Sequence, residues 1–151
     1  MSKHVRRVRH VRLIKREPPT IILCQFRIHV LCDRVSRFYM VYLFPNQDHA
    51  KRWSDANYRP IRNKFEARCI SYDRKYGDTG MLLFNVGDLS YGTISHECTH
   101  AALALSLFHG HKKVIDHKTD EEWACYVQGD LTDQTVHGFV QRGWKIASGK
   151  Y

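Results

Sequence analysis

At 151 residues the chain has the length of one ordinary domain, long enough to bury a core without disulfides. With 43% hydrophobic and 26% charged residues it has a globular composition, and no apolar run approaches the roughly 20 residues that a bilayer span requires. The formal net charge of +9 points to a polyanionic partner until it is located. Residues 1–16 hold Lys3, Arg6, Arg7, Arg9, Arg12, Lys15 and Arg16 and no acid; taking those seven from the 24 basic residues leaves 17 against 15 acids. The excess belongs to an N-terminal arm, which can bind nucleic acid or an acidic protein by counterion release, or remain a solvated tail. Val5, Val8, Val11 and Ile14 hint at a helix that orders on contact.

Glu17-Pro18-Pro19 separates this arm, residues 1–19, from one folded domain over 20–151, because paired prolines favour extended chain. Residues 20–31 and 37–44 are rich in β-branched and aromatic side chains and predict two strands around a polar turn at 32–36. Pro45-Asn46 ends the second, and 48–58 predicts a short helix carrying Trp53, closed by Pro60. Strands are expected at 64–72 and 81–86, on either side of the turn-rich 76–80. After Gly87 the hydrophobic period changes from two to about 3.6. Ser90 or Thr93 caps a helix running to about Phe108, with Ile94, Cys98, Ala101, Ala102 and Leu105 on its buried face and Gly110 as its stop. A second long helix is expected from Thr119 or Asp120 to about Gln141. Its interior Gly129 is costly unless another backbone packs close there. Strands first and helices second give an α+β fold.

The five cysteines, Cys24, Cys32, Cys69, Cys98 and Cys125, are odd in number and contain no C-x-x-C pair, which argues against a disulfide framework or a zinc ribbon. No signal-peptide core follows the basic arm. The expectation is a cytoplasmic protein with reduced thiols and no membrane partner.

His96-Glu97-Cys98-Thr99-His100 carries a complete chemistry. On a helix, positions i and i+4 lie one turn apart on one face, so both imidazoles can meet a single tetrahedral Zn2+. Glu97 is too far round to ligate, and is expected to take the proton of the zinc-bound water and pass it to the leaving amine. The substrate is then a peptide or protein. Two surface histidines beside an ordinary glutamate would be the unremarkable alternative.

Catalytic zinc needs a third protein ligand. Six residues after His100 stands Ser106, not histidine, and His109 and His111 are too far along the helix. Asp120-Glu121-Glu122 opens the next helix about 20 residues on, a separation that resembles the thermolysin-like gluzincins. Glu122 shares a face with Cys125, Tyr126 and Gly129, and Gly129 would let that face approach the zinc helix. Glu121 shares one with Ala124, Cys125 and Gln128. Glu122 is the preferred ligand and Glu121 the alternative, although Thr119-x-x-Glu122 also fits a capping box. Such enzymes often bind substrate on an edge strand beside the zinc helix; 81–86 is placed for that role, and an ordinary core strand is an equally good reading of it. Tyr126, His117 and His137 are candidate oxyanion donors, each more often structural or surface residues. Trp123 and Trp144 read as core or interface.

The run from Gly92 to Ala102 (G-T-I-S-H-E-C-T-H-A-A), followed by Glu121-Glu122-Trp123-Ala124-Cys125-Tyr126-Val127-Gln128-Gly129, resembles a family of small phage- and prophage-encoded metallopeptidases. The similarity covers about residues 80–142. It implies a zincin-like fold in which a small antiparallel or mixed sheet packs on the HExxH helix and a second long helix. It also implies His96, His100 and an acid of that second helix as zinc ligands, Glu97 as base, and the host cytoplasm as location. Glu122 fits the family acid best, four residues before Tyr126, while Cys125 stands where the family usually has alanine. A more distant similarity is to single-domain metallopeptidases that act on phage repressors. The competing expectation is a nucleic-acid-associated regulatory module with a structural or vestigial metal.

Overall fold

The computed structural model describes residues 19–30, 36–58, 67–72, 77–108 and 118–148. The basic arm at 1–16, most of the turn at 32–36, and His109, Gly110, His111 and His117 lie outside them.

Four strands form one mixed sheet: β1 (Cys24–His29), β2 (Arg37–Phe44), β3 (Ala67–Ser71) and β4 (Gly77–Asn85), in the order β1-β2-β4-β3. β1 runs antiparallel to β2, β2 parallel to β4, and β3 antiparallel to β4. Alternation along the strands sorts their side chains onto two covered faces. Tyr39, Val41 and Leu43 face one side, and Met40, Tyr42 and Phe44 the other. The long helices α2 (Tyr91–Phe108) and α3 (Lys118–Gln141) cover the first face. The second is covered by α1 (Gln47–Asn57), whose Trp53 ring lies 4.6 Å from that of Tyr42 and 5.8 Å from that of Phe44. Asn46 caps α1 by accepting the His49 N–H at 3.1 Å. The molecule is α+β, as the order of periodicities implied. No helix among the described residues is long and apolar enough to cross a membrane.

Of the two readings of 81–86, the core strand holds and the edge strand does not. β4 lies between β2 and β3, so neither of its edges is free, and packing on both faces buries Met81, Leu82, Leu83 and Phe84. An unbroken apolar run is the mark of a strand buried on both faces. The edge beside the helices is β3, whose residues are mostly half-buried. Nor does Gly129 mark a close helix contact: a Cβ there would meet nothing within 4 Å. The glycine that the packing does require is Gly80, inside the segment expected to turn. A Cβ on it would stand 2.2 Å from the Ile70 carbonyl oxygen and 2.6 Å from Tyr39 Cε1. Gly80→Ala is therefore expected to force β3 away from β4 and to cost about 3 kcal/mol, the upper end for overpacking a tight site. A urea midpoint within error of wild type would contradict this.

The core between sheet and helices is built on edge-to-face aromatic contacts. Phe139 of α3 meets Phe26 at 5.1 Å and Phe84 at 5.6 Å between centroids. The Tyr39 hydroxyl lies 2.8 Å from Ser71 Oγ and donates to the Ala101 carbonyl at 3.5 Å, linking β2, β3 and α2. Burial drives the Tyr39 pKa up, so that link stays protonated.

Candidate metal centre

The N-terminus of α2 is held from two directions. Ser90 Oγ accepts the Thr93 N–H at 3.1 Å, one of the two caps expected. The returning C-terminal segment bonds on both sides of Ser90, with Tyr91 N–H to Ala147 O at 3.0 Å and Ala147 N–H to Leu89 O at 3.1 Å. Ile94, Cys98, Ala101, Ala102 and Leu105 are all buried, as their spacing predicted. With that stripe against the sheet, helix pitch leaves His96 and His100 on the exposed face.

The two imidazoles converge there. Their Nε2 atoms stand 3.1 Å apart, with ring centroids at 4.7 Å and planes at 81°. Two nitrogens on a tetrahedral zinc at 2.0–2.1 Å would be separated by about 3.3 Å. The observed separation is close to that spacing, and it also lets one ring nitrogen donate a hydrogen bond to the other.

Glu97 is oriented differently. About 100° round the helix from His96, it turns toward β3 and is only 6% exposed. Its carboxylate accepts the backbone N–H of Cys69. Strand geometry explains why that donor is available. Tyr72 N–H bonds to Thr79 O across the β3–β4 ladder, so alternation sends the N–H groups of Ser71, Cys69 and Ala67 outward. Burial raises the Glu97 pKa above the ordinary carboxylate value. The charges of His96 and His100, the Cys69 N–H and the charge of Arg68 oppose that rise.

A cleft of about 430 Å³ opens between α2 and the edge of β3, which pairs with no further strand among the described residues. His96, Glu97, His100 and Ala104 line it from the helix, and Ala67, Arg68, Cys69 and Ser71 from the strand. None of the strand residues was singled out from sequence. The signal for them was the contrast between 64–72, polar and interrupted by charge, and the wholly apolar 81–84. The Cys69 thiol is not a nucleophile paired with the histidines. Burial pushes its pKa up to about 12, against the pull of the Ser71 hydroxyl, so it stays a thiol.

The glutamates of α3 are both exposed, but on different sides. Ala124, Val127, Leu131 and Thr135 form the buried stripe of α3. Gln128, beside that stripe, donates to Ser95 Oγ of α2 at 2.9 Å. Glu121 stands two turns before Gln128 on the same side, and lines a groove with Thr99 and Leu103 of α2, next to the histidine turn. Glu122 is not among the residues lining that groove. One turn after it on its own face, Tyr126 is 70% exposed. Among the described residues no group of three His, Cys, Asp or Glu side chains is gathered tightly enough to hold a metal. The structure thus joins His96, His100 and Glu97, and leaves Glu121 and Glu122 apart from them. Of the candidate oxyanion donors, Tyr126 lies on the outward face of α3, and His137 is exposed four turns beyond Glu122. His117 lies outside the described residues. Trp123 and Trp144 are partly buried against the core.

Comparison with family models, with curated proteins and with solved structures returned no match.

Proposed function

We propose that the chain is a zinc-dependent peptidase with a zincin-like arrangement, in which His96, His100 and a carboxylate of α3 hold the metal and Glu97 is the general base. The observation that carries this reading is the 3.1 Å separation of the two Nε2 atoms beside a buried glutamate in an open cleft. The spacing is close to that of two imidazole nitrogens on one tetrahedral ion, and the base stands beside it.

Zinc, when bound, lowers the pKa of water toward about 7 and polarises the scissile carbonyl. The chain's own groups do the rest. Glu97 faces the same cleft as the histidines without being aimed at their nitrogens, so it can take a proton from the attacking water and deliver it to the leaving amine. Its burial keeps it a stronger proton acceptor than a solvated carboxylate, and the Cys69 N–H fixes its direction. With the Cys69 N–H held by Glu97, the Cys69 C=O and the outward N–H and C=O groups of Ala67 and Ser71 are what β3 offers a substrate backbone along the cleft. Among the α3 acids, the reading takes Glu121 in place of the preferred Glu122. It borders the groove beside Thr99 and Leu103, on the side of α3 that faces the turn carrying His100.

The test begins with protein purified without added metal. One zinc per chain, and cleavage of a peptide mixture that a chelator abolishes and zinc restores, is the expected outcome. Cleavage that persists in the metal-free protein would contradict the reading.

A further inference from the structure

The cleft holds a cation that is neither a metal ligand nor bonded to the base, although its charge reaches Glu97. Arg68 lines it from β3, half-buried, and among the described residues its guanidinium has no hydrogen-bond or ion-pair partner. Its place in the strand limits what it can do. Cys69 and Ala67 pack against the core on the α2 side, and Ile70 and Tyr72 pack on the α1 side, so alternation puts Arg68 with the latter pair. Arg68 therefore meets the cleft over the outer margin of the sheet, at the rim beside an added strand and away from the histidine nitrogens. The neighbouring lining residues Ala67, Cys69, Ser71 and Ala104 are small and uncharged, and the one carboxylate of the lining, Glu97, feels the Arg68 charge without forming an ion pair with it. A planar fork of donors in such a position matches a carboxylate in two parallel hydrogen bonds.

We propose that Arg68 is a specificity-determining residue that binds a carboxylate of the substrate flanking the scissile bond, so that the chain prefers acidic peptides. This rests on the peptidase reading. The carboxylate can come from an aspartate or glutamate side chain or from the C-terminus of the peptide, and the experiment separates the two.

The zinc-loaded full chain is given one neutral peptide scaffold in four forms: an internal glutamate with an amidated end, its glutamine twin, its lysine twin, and the glutamine form with a free C-terminal carboxylate. Wild type is expected to show kcat/KM about tenfold higher for a carboxylate form than for the neutral twin, the scale of one charge-assisted hydrogen-bonded contact. Which carboxylate form gains identifies the source. Arg68→Gln brings the ratio close to one, and Arg68→Glu inverts it in favour of lysine, a reversal that a merely structural role would not produce. An acid preference unchanged in Arg68→Gln, or a wild type that cleaves all four forms alike, overturns the assignment.

Calorimetry with peptide hydroxamates carrying aspartate or asparagine keeps the two readings distinguishable. If nothing is cleaved but the aspartate hydroxamate binds more tightly and loses that advantage in Arg68→Gln, the peptidase reading fails and Arg68 is left as a carboxylate-binding residue of the cleft. If nothing is cleaved and the two hydroxamates bind alike, both fail.

Discussion

Glu97→Gln is expected to lower peptide cleavage by a factor of about 10²–10⁴, the usual contribution of a positioned general base, while zinc content and folded stability stay close to wild type. The geometry explains why the two effects separate. Glu97 points toward β3 and not toward the Nε2 pair, so its carboxylate is no ligand, and glutamine fills the same space. A glutamine oxygen still accepts the Cys69 N–H but cannot take a proton at neutral pH. Replacing a buried carboxylate also removes a desolvated charge, which offsets the weaker hydrogen bond. Single-turnover kinetics with metal analysis on one preparation is the measurement. Cleavage within a factor of a few of wild type at full zinc occupancy would remove Glu97 from the role of base.

The parts of this site that could be read from sequence are those set by one helix acting alone. Pitch fixes the relation of His96 to His100, and the apolar positions from Ile94 to Leu105 fix which way that pair faces. Both follow from local chain geometry. The partner elements did not follow, because strand order is a tertiary choice. The antiparallel pairing of β1 with β2 joins neighbours in the chain, but β4 inserts between β2 and β3, and no local pattern encodes that insertion. The burial pattern did carry a trace of it, in the unbroken 81–84 run against the charged Arg68 strand. The helix of the third ligand raised another difficulty. The facing side of α3 is fixed by residues further along, Ala124, Val127 and Leu131. Gly129, taken as a packing signal, lies off that stripe with open space beside it. Glycine tolerance inside a helix is a weaker guide to phase than the run of buried side chains.

That phase leads to the second large effect. Glu121→Gln is expected to weaken zinc binding by more than about 100-fold, beyond the 10–100-fold that loss of an outer partner costs, because a coordinating carboxylate would be replaced by a neutral amide. Glu122→Gln is expected to leave affinity unchanged, as befits an exposed residue on the outer face. A competition assay against a chromophoric chelator reads both. The opposite pattern would carry structural information of its own, since one residue on a helix is a rotation of about 100°. For Glu122 to face the histidines, α3 would have to turn by that much, moving Val127 and Leu131 out of the core and carrying Gln128 away from Ser95. The first turns of α3 could do this only by unwinding from the remainder, because Phe139 is fixed further along between Phe26 and Phe84. Loss of zinc from Glu122→Gln alone would therefore mean that metal binding remodels the start of this helix. Equal and slight effects from both substitutions would mean that α3 supplies no ligand, and the site would then have to be completed from outside the described residues.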